Sequence, residues 1–256
     1  MRQTTESRQP VLSVDPTLTR LLFDTESDDP DNGLRERKRR MLRQQLSDTA
    51  TKMFLERGFD SVPVTEIAKK CNVSEKTVYN HFPVKESLLL DREDAMTEAL
   101  RAAITNINEP PLSAMVYMLN NEVQTMTTAL EGQKDWKADV AMVQRFLSLV
   151  ENTPSLRSYQ YDIMERLTSV AAVILAERTG LVVESPEPQI IAELLVGLWK
   201  VQHRALRRVT NGTYTPHEIA SLVNNEVRNA AHLLDVGIGS MNLSASTQLF
   251  RSAVTI

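Results

Sequence analysis

The side chains best suited to chemistry stand close together: Lys76, Tyr79, Asn80 and His81, followed by Lys85. Nothing around them supplies a reaction. The chain has no glycine-rich phosphate loop, no serine elbow and no pair of carboxylates set among apolar residues, so enzymatic turnover is not expected. What these groups can do is hydrogen-bond to another surface. A lysine donates to guanine acceptors, an asparagine pairs with the adenine edge, and tyrosine and histidine suit phosphate oxygens. In the segment SEKTVYNHF, Val78 and Phe82 fall at i and i+4 and turn inward, leaving Glu75, Lys76, Thr77, Tyr79, Asn80 and His81 outward. A short helix with so little apolar surface fits entry into a DNA groove better than structural support. A solvated face is the alternative for Lys76 and Asn80, and helix capping for His81.

The flanking residues position that helix. Ser74 can cap its first amides, with Glu75 at the positive end. Asn72 tolerates the left-handed turn, Val73 plugs the space between helices, and Cys71 is read as a small buried turn residue, since no second cysteine could resolve an oxidised form. Upstream, VTEIAKK gives an amphipathic helix with Ile67 and Ala68 inward, opened by Val62-Pro63 with Ser61 as a possible cap. A longer helix over 35–57 buries Leu42, Leu46, Ala50, Met53 and Phe54 and ends at Gly58. These are helix-turn-helix proportions. Lys85 follows Pro83 at the start of the next helix, where an amide-rich terminus can bind phosphate.

Charge agrees with this placement. The whole chain carries a formal charge of -4, yet residues 35–92 hold 13 Arg and Lys against 8 Asp and Glu, beginning with RERKRRMLR. A local basic head on an acidic body favours contact with phosphates at one end. One cysteine in 256 residues fits a reducing compartment. The first residues have no signal-peptide centre and no apolar run reaches transmembrane length, so a cytoplasmic location without membrane contact is expected.

The segment GFDSVPVTEIAKKCNVSEKTVYNHFPVKESLL resembles the DNA-binding domain of the TetR family of transcriptional regulators. Its marks stand here as Ile67-Ala68, Val73-Ser74, Tyr79-Asn80-His81-Phe82 and Lys85. Pro63 replaces a common capping threonine, and Asn72 a common turn glycine. The resemblance implies an all-α homodimer with an N-terminal three-helix head and a C-terminal helical domain that binds a small effector. It implies phosphate contacts from Tyr79, His81, Lys85 and Thr65, and base reading from the exposed residues of Ser74 to Asn80. The expected partners are a double-stranded DNA operator, a second copy of the chain and a small, mainly apolar effector, with no cofactor. Repression relieved by the effector is the expected direction. A helical protein interaction module is the competing reading, but it leaves the basic head without a purpose.

The expected organisation is an arm over 1–34, a head over 35–84, an effector and dimerisation domain over 85–239 and a tail over 240–256. In the second domain a fourth helix over 85–105 leaves the head and serves as the lever between effector and DNA. Polar, aromatic and methionine residues among the later apolar stripes are candidates for an effector pocket: Tyr117, Met118, Met142, Arg145, Phe146, Tyr159, Met164 and Trp199, with ordinary packing as the alternative. The last two helices have wide apolar faces, and Leu194, Leu198, Val201, Leu222, Val223, Val227, Ala230 and Leu234 are the dimerisation candidates. His203, His217 and His232 lack the spacing of a metal site.

Overall fold

A computed structural model describes residues 33–239, and every described element is helical. The expected tail lies outside the described residues, as does the expected arm apart from Gly33 and Leu34. Three helices make the head: α1 (Leu34–Arg57), α2 (Val64–Lys70) and α3 (Glu75–His81). The body holds α4 (Glu93–Thr105), α5 (Pro111–Glu131), α6 (Trp136–Asn152), α7 (Pro154–Thr179), α8 (Pro186–Val209) and α9 (Pro216–Gly239). Proline opens four of the six body helices, where its missing amide hydrogen costs no intrahelical bond. α1 stops at Gly58, whose amide makes the last helical bond to the Phe54 carbonyl at 2.8 Å and whose positive φ of 86° then turns the chain out of the helix.

The fourth helix expected from 85 to 105 does not run through. Its first part is a single 3-10 turn, Glu86–Leu88, and α4 starts only at Glu93. The reason lies in three consecutive leucines. Leu88 and Leu89 are buried in the head's core, whereas Leu90 touches both that core and the main core of the body. A continuous helix would turn each successive leucine by about 100° and carry one of them into solvent. The chain turns instead, and Ser47 of α1 fixes the turn by donating to the Leu88 carbonyl at 3.1 Å.

Packing divides into three apolar clusters. The head's core is built from Leu46, Met53, Phe54, Ile67, Val78 and Phe82, and it also takes in Val150 of α6 and Leu156 of α7. The main body core joins α4, α5, α7, α8 and α9 around Trp199. A smaller cluster closes the far side with Val123, Val140, Leu206 and Val223. The head is thus not a bead on a linker: body residues are built into its core.

Candidate nucleic-acid interface and internal cavity

The turn between α2 and α3 is made by backbone hydrogen bonds that the sequence permits only with a left-handed residue. The Val73 amide donates to Ala68 at 3.0 Å and the Asn72 amide to Lys69 at 3.2 Å, the paired closure of a Schellman motif. Asn72 sits at φ 58°, where asparagine is tolerated. Ser74 then caps α3: its hydroxyl accepts from the Thr77 amide at 3.1 Å and stands 2.8 Å from the Thr77 hydroxyl. Pro63 precedes α2 as its N-cap, and no side chain caps that first turn, so Ser61 does not act there. Arg57 reaches over instead, donating to Glu66 at 2.5 Å and to the Ser61 carbonyl at 3.1 Å. Cys71 is buried, with its thiol 3.7 Å from the Gln45 carbonyl.

Val78 and Phe82 anchor α3, and the rest of the helix faces outward. Ser74, Glu75, Lys76, Tyr79 and Asn80 are exposed, Thr77 and His81 half-exposed, and Thr65 of α2 is exposed beside them. Tyr79, an aromatic residue that would ordinarily be sheltered, shows 44 % of its surface. Thr65, Lys69, Ser74 and Glu75 border one shallow depression between the two helices. Lys85 is placed differently. Its ammonium donates to the Phe59 carbonyl at 2.7 Å and lies 4.4 Å from the Phe59 ring centre, and burial pulls its pKa below the ordinary lysine value. It fastens the loop before α2 to the segment after α3.

One residue of the head escaped sequence reasoning because it looked like part of the basic run. Arg43 of α1 donates through Nε to Asp91 at 3.0 Å, bonds the other Asp91 oxygen through Nη2, and donates through Nη1 to the His81 carbonyl at 2.5 Å. Its guanidinium also lies 4.5 Å from the Phe82 ring centre. Its spacing from Leu46, three residues on, was the available signal that it turns toward the domain.

The body holds a cavity of about 410 Å³, open to solvent on one side past Tyr161, Lys200 and Arg204, where the three apolar clusters meet. Leu89, Phe146 and Val150 form its wall against the head, and Met96, Met126 and Met164 line other parts. A polar group lies among them. Arg92 pairs with Glu122 at 2.9 Å, the Trp199 indole donates to the other Glu122 oxygen at 3.1 Å, and Gln160 meets His203 at 3.5 Å. Gln202 donates to the Leu119 carbonyl at 2.8 Å. Of the eight effector candidates, only Phe146 and Met164 line the cavity. Trp199 is buried behind Glu122; Met118 and Tyr159 pack against the main body core and Met142 against the smaller one. Tyr117, 73 % exposed, and Arg145 face solvent because they fall off the buried stripes of α5 and α6. Arg92, Glu122, Gln160, Gln202 and His203 were missed. Polar residues spaced three or four from buried apolar ones, as Gln202 and His203 are from Trp199, were the legible sign.

The dimerisation candidates also divide. Leu198, Val223 and Val227 are at most 1 % exposed and complete the chain's own core, so they offer nothing to a second copy. Leu194, Val201, Ala230 and Leu234 are half-buried, and Leu222 is exposed. Ile190 of α8 and Leu233 and Val236 of α9 extend the outward face, Leu233 with 72 % of its surface free.

Among the described residues no helix is long and apolar enough to cross a membrane, and no three His, Cys, Asp or Glu side chains gather to hold a metal. A helix-turn-helix with an exposed polar reading face, carried on an all-helical body, defines a DNA-binding transcriptional regulator. Residues 46–91 match the model described as bacterial regulatory proteins, tetR family, and residues 123–215 match the MftR C-terminal domain. The HTH-type transcriptional regulator TcmR of Streptomyces glaucescens is 31 % identical over 176 residues, 67 % of this chain and 76 % of that protein. The HTH-type transcriptional repressor DhaR of Mycobacterium sp. (strain GP1) is 25 % identical over 62 % of this chain and 79 % of its own length. Among solved structures, a tetR-family transcriptional regulator from Streptomyces coelicolor is 17 % identical, with a TM-score of 0.49 over 87 % of this chain and 90 % of that one. The chain belongs to the TetR family of transcriptional regulators.

Proposed function

We propose that this regulator is a homodimeric repressor that binds a two-half-site operator through α3 and leaves it when a small, mainly apolar effector fills the body cavity. The observation that carries this is the shared wall. Leu89, Phe146 and Val150 belong to the core that seats α3 and also face the cavity, so a molecule entering there presses on the support of the reading helix. Packed cores respond to such a change by shifting between discrete arrangements. In this reading Lys76 and Asn80 read bases, with Ser74, Glu75 and Thr77 bordering them, while Thr65, Tyr79 and His81 position the head on phosphates. Lys85 joins the phosphate contacts by exchanging the Phe59 carbonyl for a phosphate oxygen. The head, taken as 35–84 with Leu88 and Leu89 sealing its base, and the body to 239 are then the DNA-binding and sensing units. The outward faces of α8 and α9 join the two copies. That DhaR is named a repressor supports the direction of control.

The test is footprinting on fragments recovered from genomic DNA with the purified protein. Two protected half-sites should appear with centres one or more helical turns, each about 34 Å, apart. Protection of a single unpaired site would count against a dimeric reader.

A further inference from the structure

The charges around the cavity are not balanced in what they leave free. Three carboxylates line it, and each already has a cation from the protein: Glu93 has Arg166 at 2.5 Å, Glu122 has Arg92 at 2.9 Å, and Glu151 has Arg207 at 2.6 Å. Both oxygens of Glu122 are taken, one by Arg92 and one by the Trp199 indole. The lining cations are less committed. Lys200 and Arg204 stand exposed at the rim with no carboxylate partner among the described residues, the Arg204 Nε donating only to the Lys200 carbonyl at 3.2 Å, and the Arg92 Nε is buried without an acceptor. A buried donor left without a partner is costly, so the guanidinium gains from any acceptor the cavity brings to it. Most of the remaining wall is leucine, isoleucine, methionine, valine and phenylalanine, which reward an apolar body.

We infer that the effector is an apolar organic anion: a hydrophobic skeleton carrying a carboxylate or an acidic hydroxyl that is held by Arg92 and by Lys200 and Arg204. The inference rests on reading this cavity as the effector site. A cationic ligand would meet unpaired positive charge and carboxylates already occupied. A wholly apolar ligand would leave Arg92 as it is and forgo the charge-assisted bonds. The volume, about 410 Å³, suits a drug-sized molecule.

The full-length protein can be titrated with two matched sets of probes, following tryptophan emission and heat of binding. One set is biphenyl-4-carboxylate, biphenyl-4-methanol and biphenyl-4-methylammonium; the other is decanoate, decanol and decylammonium. In at least one set the carboxylate should bind about tenfold tighter than the neutral probe, with the ammonium weakest, as one additional charged contact would give. Arg92→Gln should remove most of that margin. The double variant Lys200→Gln, Arg204→Gln, which lies at exposed positions, should reduce it even if Arg92→Gln fails to fold. Equal binding across both sets, preference for the ammonium in both, an unchanged margin in every folded variant, or no binding by any of the six probes would overturn the inference. Operator affinity measured with the bound carboxylate separates the two readings. Release of DNA supports both, whereas carboxylate-selective binding without release leaves the ligand class standing and counts against effector control.

Discussion

Arg43 grips Asp91 with two parallel hydrogen bonds and sends its third to the His81 carbonyl, so a single side chain ties the cavity's edge to the last residue of the reading helix. Asp91 stands between Leu90 and Arg92, both of which line the cavity. Asp91→Asn keeps the shape and removes the charge. Because Arg43 is partly exposed, the stability lost should be only about 1 kcal/mol. The larger effect should be local: amides of α3 and of residues 82–90 should exchange with deuterium several-fold faster while those of α7 and α8 hold. Unchanged protection of α3 would mean that the tie is incidental.

The left-handed turn and the cap of α3 make separable contributions. Asn72→Ala should cost about 1 kcal/mol, whereas Asn72→Gly should be near neutral or stabilising, because alanine keeps the Cβ strain at φ 58° without asparagine's polar side chain to offset it and glycine has no Cβ. Ser74→Ala removes the bond to the Thr77 amide and should also cost about 1 kcal/mol. Urea denaturation of the three variants checks this; equal stability of the alanine and glycine forms at position 72 would contradict the turn geometry.

The outer face of α3 should separate into two kinds of contact. Tyr79→Phe should weaken binding to all duplexes alike, and Thr65→Ala likewise. Lys76→Ala or Asn80→Ala should cost about 1–3 kcal/mol on the selected operator and relax preference at one base position. Fluorescence anisotropy across a panel of single-base operator variants distinguishes them, and a uniform loss for Lys76→Ala would remove it from base reading.

Self-association should follow exposure. Leu233→Lys and Val236→Lys place charge on the outward face of α9 and should shift the sedimentation coefficient toward that of one chain while leaving helicity intact. Leu198→Ala, in contrast, should destabilise the fold by about 2–5 kcal/mol, because it opens a cavity within the chain's own core. Dissociation by Leu198→Ala at full stability would reverse this assignment.

A pH dependence follows from His203. Burial holds its imidazole below the ordinary 6.5, with Glu122 raising it and Arg92 lowering it again. The unfolded chain therefore binds the proton first as pH falls, and the native state loses stability through the window below about 6.5 until the lowered native value is passed. His81, also lowered by burial, acts in the same sense. His203→Gln should flatten the denaturation midpoint between pH 7 and pH 5. The same slope in parent and variant would assign the effect elsewhere.

The head was legible because its constraints are local: spacing sends Val78 and Phe82 inward, Ser74 meets its own helix's amides, and Asn72 takes a turn that few residues accept. The break after Lys85 was not legible, since it depends on two cores competing for Leu88, Leu89 and Leu90. The cavity was harder still. Its polar members are far apart in the chain, and Arg92 at the start of α4, Glu122, Gln160 and His203 acquire meaning only when α4, α5, α7 and α8 meet. Amphipathic stripes reveal which helices are buried, but not which stripe faces its own chain, and so Leu198, Val223 and Val227 were indistinguishable from surface leucines and valines.

Sequence-specific reading of DNA by α3 can be tested by measuring affinity for a duplex recovered by selection and for a scrambled duplex of the same length, at one fixed salt concentration. The selected duplex should bind about 10³-fold or more tightly, with Asn80→Ala narrowing the ratio. Equal affinity for the two duplexes would show a head that holds phosphates without reading sequence.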